Sequence, residues 1–223
     1  MHVTHLGHAC LLVETGGARL LLDPGTFSHG FEELTGLDAI LITHQHVDHV
    51  DVERLPALLE ANDGAQLVAE PEIATELTKV GLDARPLHAG EQLTVGATGV
   101  RAIGGTHALI HADIPRVGNV GLVLSADGEP TLFHPGDCYE ARPGPDEAPG
   151  GVDVLALPLN APWAVLRDTV DFVRAVRPRT AVPVHDALLS PTGRALYLRL
   201  IGSLAGDGTE IRDLADAGRV DLA

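Results

Sequence analysis

The chain is poor in positive charge. Lys79 is its only lysine, and with fourteen arginines it sets 15 basic against 31 acidic side chains, a formal net charge of −16. A duplex-binding surface carries a basic stripe. None runs along this chain, and the group Arg174, Arg177 and Arg179 reads as a solvated helix end. No nucleic-acid partner is expected. Cysteine is scarce as well: Cys10 and Cys138 are too few for a disulfide framework. No apolar run approaches the roughly 18 residues that cross a bilayer, so membrane insertion is not expected. The opening Met1-His2-Val3-Thr4-His5 lacks the basic and apolar regions of a secretory leader. These shortages together predict a soluble, cytoplasmic protein. Aromatic side chains make up 3% of the residues and include one tryptophan, Trp163.

Histidine, by contrast, is in surplus. Twelve occur, and three of them share the heptapeptide Thr43-His44-Gln45-His46-Val47-Asp48-His49 with a carboxylate. The apolar run Asp38-Ala39-Ile40-Leu41-Ile42 leads into it, and an amphipathic stretch over 52–60 follows. Imidazole nitrogen and carboxylate oxygen are the donors that divalent transition metals prefer. A strand ending in a tight loop holds such donors rigidly. The bland alternative is an exposed polar loop, which gives no reason for three scarce residues in six positions. The heptapeptide is a candidate metal centre.

With 45% hydrophobic residues, 223 positions can bury a sizeable core, and the whole span 1–223 is read as one domain. Short apolar runs at 10–14 and 19–22 flank Thr15-Gly16-Gly17, a hairpin signal. Strands are predicted at 38–43 and 66–69, each followed by a helix, 52–60 and 72–80. A β-rich stretch comes next, at 92–95, 99–103, 118–125 and 131–133, with Asp127-Gly128 marking a turn. After Pro149-Gly150-Gly151 the pattern becomes a buried strand at 152–158, a helix at 167–176, a strand at 180–184 and a helix at 193–204. The segments 210–214 and 219–222 read as a closing hairpin. Strands then helices, twice over, suit an α/β fold of four layers, an αββα sandwich.

Three further candidates sit at strand ends. His107 follows Gly104-Gly105-Thr106, where glycines let the backbone turn a side chain into a cleft. Asp137 lies in Phe133-His134-Pro135-Gly136-Asp137, and His185 in Val182-Pro183-Val184-His185-Asp186. Each alone reads as a loop residue; gathered on one rim with the heptapeptide, they read as a site.

In this order the motifs resemble the metallo-β-lactamase superfamily: a His-x-His-x-Asp-His loop, a later His, a Gly-Asp and a final His. His5-Leu6-Gly7-His8-Ala9 and Leu22-Asp23-Pro24-Gly25 match its first two strands, and the resemblance covers essentially the whole chain. His107-Ala108-Leu109-Ile110-His111 and His134-Pro135-Gly136-Asp137 are similar to the branch of L-ascorbate-6-phosphate lactonase and the N-acyl-phosphatidylethanolamine phospholipases. The resemblance implies that His44, His46 and His107 hold one metal, that Asp48, His49 and His185 hold a second, and that Asp137 bridges both. Zinc is the default pair of ions, with manganese or iron compatible with the same donors.

The implied chemistry is hydrolysis. Two divalent ions against Asp48, Asp137 and a bridging hydroxide leave a net positive centre, and coordination lowers the pKa of water from about 15.7 towards 7. A small ester, lactone or phosphoester is the expected substrate, with Asp48 also orienting the nucleophile or relaying a proton. Asp23 reads either as a carboxylate partner for a metal-bound imidazole or as a turn residue before Pro24. His8 reads as a strand histidine, with a supporting contact at the metals as the alternative. His111, four residues beyond His107, either replaces it as ligand, meets substrate or solvates a loop. His134, Cys138 and Trp163 stand beside the candidates, each with a packing role or a substrate contact open to it. The loops 26–36 and 139–150 are placed to shape specificity. A metal-binding scaffold without catalysis, or a nuclease, are the competing readings. The complete ligand set argues against the first; the acidic balance and the lack of room for a large insertion argue against the second. The sequence leaves homo-oligomerisation open.

Overall fold

A computed structural model describes residues 1–222. The first half supplies strands β1 (His2–His5), β2 (Leu11–Thr15), β3 (Ala18–Leu22), β4 (Ala39–Ile42), β5 (Gln66–Ala69) and β6 (Ala84–Pro86), with helices α1 (Leu55–Ala61) and α2 (Pro71–Lys79). The second supplies β7 (Gln92–Val95), β8 (Thr98–Gly104), β9 (Val120–Ser125), β10 (Leu132–His134), β11 (Val154–Pro158) and β12 (Thr180–Val184). Helices α3 (Leu166–Val176) and α4 (Pro191–Leu204) and the short strands β13 (Glu210–Ile211) and β14 (Val220–Asp221) complete it. Two seven-stranded mixed sheets result, ordered β14-β1-β2-β3-β4-β5-β6 and β13-β12-β11-β10-β9-β8-β7.

Strand periodicity decides the layering. Alternate side chains point to opposite faces, so Leu11, Val13, Leu20, Leu22 and Leu41 turn inward against Val100, Leu122, Leu132, Ala156 and Val184 of the other sheet. Their neighbours Leu12, Leu21, Ile40 and Ile42 turn outward under Leu55, Leu58, Ile73 and Leu77 of α1 and α2. Leu155, Leu157 and Phe133 do the same under Val170, Phe172 and Val173 of α3 and Ile201 of α4. Three apolar layers between four structural ones give the expected αββα sandwich. Burial on both faces also explains why β4 and β11 read as unbroken apolar runs.

Helix starts are set by local caps. Asp51 Oδ1 accepts the backbone N–H groups of Glu53 and Arg54 at 3.0 Å each. Residues 52–54 therefore form a turn, and α1 begins later than predicted, with Pro56 in its first turn. Glu70 caps α2 and Ser190 caps α4 through their side chains. Arg177 ends α3 in a left-handed conformation one residue before Pro178.

The predicted closing hairpin does not exist. β13 pairs parallel with β12, whereas β14 crosses to the other sheet and pairs antiparallel with β1, His2 against Asp221. Two-residue strands cannot support a hairpin alone, but each sheet offers an open edge, and Leu214 and Leu222 drop into the inner core on the way. The first strand lies at His2–His5, ahead of the 5–9 segment matched to it from sequence, and the three-residue β6 has no counterpart in the sequence reading. Among the described residues no helix is long and apolar enough to cross a membrane.

Candidate metal centre

Parallel strands deliver their C-terminal ends to one rim, and the candidate residues occupy the segments that follow them. Asp23 follows β3, His44 to His49 follow β4, His107 follows β8, Asp137 follows β10 and His185 follows β12. Two groups form there, each with ligand atoms within 4.8 Å of one another: His44, His46, His107 and Asp137 in one, His8, Asp48, His49 and His185 in the other. His8 stands in the second group beside Asp48, His49 and His185. Asp137 touches both groups. Its Oδ2 lies 3.4 Å from His107 Nε2 and 3.3 Å from His185 Nε2, and its Oδ1 lies 3.1 Å from His49 Nε2.

Three of the imidazoles are aimed by their other nitrogen. His49 Nδ1–H donates to Asp23 Oδ2 at 2.7 Å, and His107 and His185 donate theirs to the carbonyls of Ala108 and Asn160, also at 2.7 Å. Asp23 is fully buried and accepts from the Thr43 amide at 2.8 Å and the Thr43 hydroxyl at 2.7 Å, which fixes it between β3 and the heptapeptide. The Nε2 atoms of His49, His107 and His185, and Asp137 Oδ1, are buried with no hydrogen-bond partner. Buried polar atoms are rarely left so. Four of them converging on one point, with His44 Nε2 and His46 Nδ1 facing each other at 3.1 Å, is the arrangement a cation would complete. The donors are nitrogen and oxygen without thiolate, a set suited to divalent ions with open coordination positions.

Electrostatics prepare the donors unequally. Burial holds the pKa of His44 well below the ordinary imidazole value, helped by the His49 charge, and burial likewise lowers His46. Burial alone would raise Asp137, but the charges of His49 and His185 hold it well below the carboxylate range. Burial lowers His185, and Asp137 outweighs it, raising the group from 6.5 to about 9. A folded-state pKa above the unfolded one stabilises the fold below about pH 6.5 and ceases to do so as pH climbs through about 9. Metal-free protein is therefore expected to melt several degrees lower at about pH 9.5 than at about pH 6.5. Metal-loaded protein, in which the imidazole is neutral throughout, should not show this loss. Thermal melts of chelator-treated and metal-loaded samples check it; a metal-free Tm that is flat across the interval would contradict it.

His8 is the residue that the sequence reading underrated. It lies beyond β1 in a left-handed turn at φ +50°, not in a strand. Ala187 N–H donates to its Nδ1 at 3.3 Å, so Nε2 carries the proton and donates to Asp48 Oδ2 at 3.0 Å. Its carbonyl accepts the His185 amide at 2.8 Å. This tautomer makes His8 a donor that holds Asp48 rather than a lone pair aimed at a cation. Strain gathers here: among the described residues five non-glycine positions have positive φ, and three of them, His8, Asp23 and His185, belong to this rim.

Trp163 also joins the site, its Nε1–H donating to Asp137 Oδ2 at 2.7 Å. His111 does not. It is 66% exposed and pairs only with Asp113, Nδ1 to Oδ2 at 3.6 Å, so nothing places it beside a ligand. His134 is structural, joining Ala9 O at 3.0 Å and the Gly136 amide at 3.1 Å. Cys138 is a buried free thiol.

The profile of the beta-lactamase superfamily domain matches residues 2–185. A protein of Mycobacterium tuberculosis, Rv0786c, is 50% identical over 198 residues, covering 88% of this chain and 89% of the relative. A UPF0173 protein of Pyrococcus furiosus is 34% identical over 189 residues, 83% of each chain. A UPF0173 metal-dependent hydrolase of Carboxydothermus hydrogenoformans is 28% identical over 197 residues, 83% of this chain and 84% of its own. In three dimensions the fold is that of Igni18, a metallo hydrolase from the archaeon Ignicoccus hospitalis, with a TM-score of 0.69, 19% identity and coverage of 99% and 98%.

Proposed function

The chain belongs to the beta-lactamase superfamily and, within it, to the UPF0173 metal-dependent hydrolases, and from that premise we propose that its rim holds two divalent ions, zinc by default, for hydrolysis of a small ester, lactone or phosphoester. The observation that carries this reading is the convergence of partnerless buried donors from both groups on the Asp137 carboxylate. When bound, such ions supply electrophilic charge and acidify water.

The side chains around them divide the remaining work. His44, His46 and His107 hold one ion, Asp48, His49 and His185 the other, and Asp137 lies between. Asp23 keeps His49 in the tautomer that presents Nε2, and the carbonyls of Ala108 and Asn160 do the same for His107 and His185. Asp48 is the most accessible carboxylate of the set, with its side chain 19% exposed. One of its oxygens is held by the His8 N–H, leaving the other to orient a water or pass a proton to the leaving group. Trp163 donates to Asp137 and fixes the orientation of its carboxylate. Of the lactonase and phospholipase branch, only the ester, lactone and phosphoester substrate classes carry over. A single domain spanning the chain and a cytoplasmic location are part of the same proposal.

Metal analysis with a substrate panel tests it. Protein loaded with zinc or manganese is expected to bind two ions and hydrolyse at least one of an ester, a lactone and a phosphodiester; no turnover on any of them would overturn the reading in favour of a metal-binding scaffold. A paired substitution tests the ligand set. His46→Ala should lose about one ion per chain, while His111→Ala should keep both and change kinetics alone by less than about fivefold. Unchanged stoichiometry in His46→Ala would contradict its assignment, and loss of an ion in His111→Ala would make His111 the ligand in place of His107.

A further inference from the structure

The loops around this rim carry exposed apolar side chains among polar ones such as His111 and Asp113. Among the described residues ten large hydrophobic side chains are exposed, and five of them, Phe27, Val47, Leu109, Ile114 and Leu188, stand on the loops that carry the candidate ligands. Phe27 sits edge-on to the His8 ring with centroids 5.2 Å apart. Val47 lies between His46 and Asp48 in the chain. Leu109 follows Ala108, whose amide donates to the Asp137 carbonyl at 2.8 Å. Ile114 lines a small cleft with His46 and His107. Leu188 follows Ala187, which donates to His8. These side chains are 44–64% exposed, and five on the loops around one site exceed the scatter of single exposed residues that surfaces normally show. Trp163 closes the same side, 6.2 Å and 6.5 Å from the His107 and His185 rings.

Cationic groups near the rim are already committed. Arg54 bonds to the Gly25 and Ser28 carbonyls beside Phe27 but is paired with Asp51 and Glu32. Arg194 reaches Asp186, next to His185, and spends its other nitrogens on Asp213. Arg116 donates to the His107 carbonyl and lies 3.3 Å from Glu140. Among the described residues, each of these three arginines is already paired with a carboxylate, and a net charge of −16 repels anions from a distance.

We propose, resting on the hydrolase reading above, that the substrate is an uncharged carboxylic ester or lactone whose apolar acyl group is held by Phe27, Val47, Leu109, Ile114 and Leu188. Its hydrolysis consumes one water, whose oxygen joins the acyl carbon while a proton goes to the leaving oxygen. A fully buried methylene contributes about fourfold in binding. On this half-open ring we expect less, about 1.5- to 2-fold each.

Metal-loaded protein is to be assayed with 4-nitrophenyl acetate, butyrate and octanoate and with bis(4-nitrophenyl) phosphate. We expect kcat/KM to rise at least about tenfold from acetate to octanoate and the phosphodiester to be the poorest substrate. In the double variant Leu109→Ser, Ile114→Ser the octanoate-to-acetate ratio should fall below about threefold with metal content unchanged. Ester hydrolysis without chain-length dependence, or a preference for the phosphodiester, would overturn the proposal and leave the hydrolase reading standing. An octanoate rate that jumps only above the micelle-forming concentration would overturn it in favour of a lipid surface. Binding without turnover gives an independent arm through the single tryptophan at the rim: octanamide is expected to change Trp163 fluorescence at concentrations at least about tenfold lower than acetamide. Equal responses, or none, would overturn the proposal even if hydrolysis is found.

Discussion

Asp137→Asn is expected to release at least one of the two ions and to lower kcat/KM by about 10³-fold or more, the scale on which loss of a charge-stabilising group acts in hydrolytic sites. The reason is its position. Asp137 is the one carboxylate whose oxygens face imidazoles of both groups, and it is 3% exposed. Its backbone is held independently of the carboxylate, by Asn119 Oδ1 at 2.9 Å and by the Ala108 amide at 2.8 Å. Asparagine preserves the volume and the hydrogen bond from Trp163, so the loop should stay in place while the charge disappears. Elemental analysis beside kcat/KM decides the matter. Two ions retained with activity within about threefold would show that Asp137 does not bridge.

The second large effect comes from a residue with no chemistry of its own. Gly25→Ala would place its Cβ on the backbone carbonyl of Asp48 and 2.5 Å from the His49 amide nitrogen. The strip around it is bonded to the ligand loop on both sides, Thr26 N to Val47 O at 2.8 Å and Asp51 N to Pro24 O at 2.9 Å. Backbone cannot swing aside as a flexible side chain does, so Asp48 and His49 must move. A displacement of about 1 Å in a catalytic group costs on the order of 10² in rate, and forced overpacking adds about 1–3 kcal/mol of instability. Because both displaced residues belong to the group with His8 and His185, the ion of that group should be lost first, while His44, His46 and His107 keep theirs. A variant with full metal content and an unchanged Tm would refute this account.

The sequence disclosed the parts of this site that local rules determine. Histidine is scarce, so the heptapeptide stands out, and β4 and β11 are apolar throughout because both of their faces are covered. The strand-end placement of His107, Asp137 and His185 followed from the same logic. What stayed hidden depends on contacts between distant segments. His8 and Asp48 are forty residues apart, and they meet only because β1 lies beside β2 and a left-handed turn redirects the imidazole. The donation from Trp163 to Asp137 likewise joins two loops with no common pattern. His111 drew attention through its four-residue spacing from His107, but that spacing brings side chains together on a helix, and the segment is an exposed loop. The closing strands resembled a hairpin because two short runs with a turn between them look alike whether they pair with each other or with two separate sheets.

The left-handed backbone at His8, Asp23 and His185 has an evolutionary consequence. Such conformations cost on the order of 1–3 kcal/mol each in residues with a Cβ, and glycine would adopt them freely. Glycine would relieve that backbone strain at each of the three positions, but it would also remove a site side chain and the hydrogen bonds it makes. A homologue released from that chemistry should show its first substitutions here, well before the sheets that bear the strain begin to change.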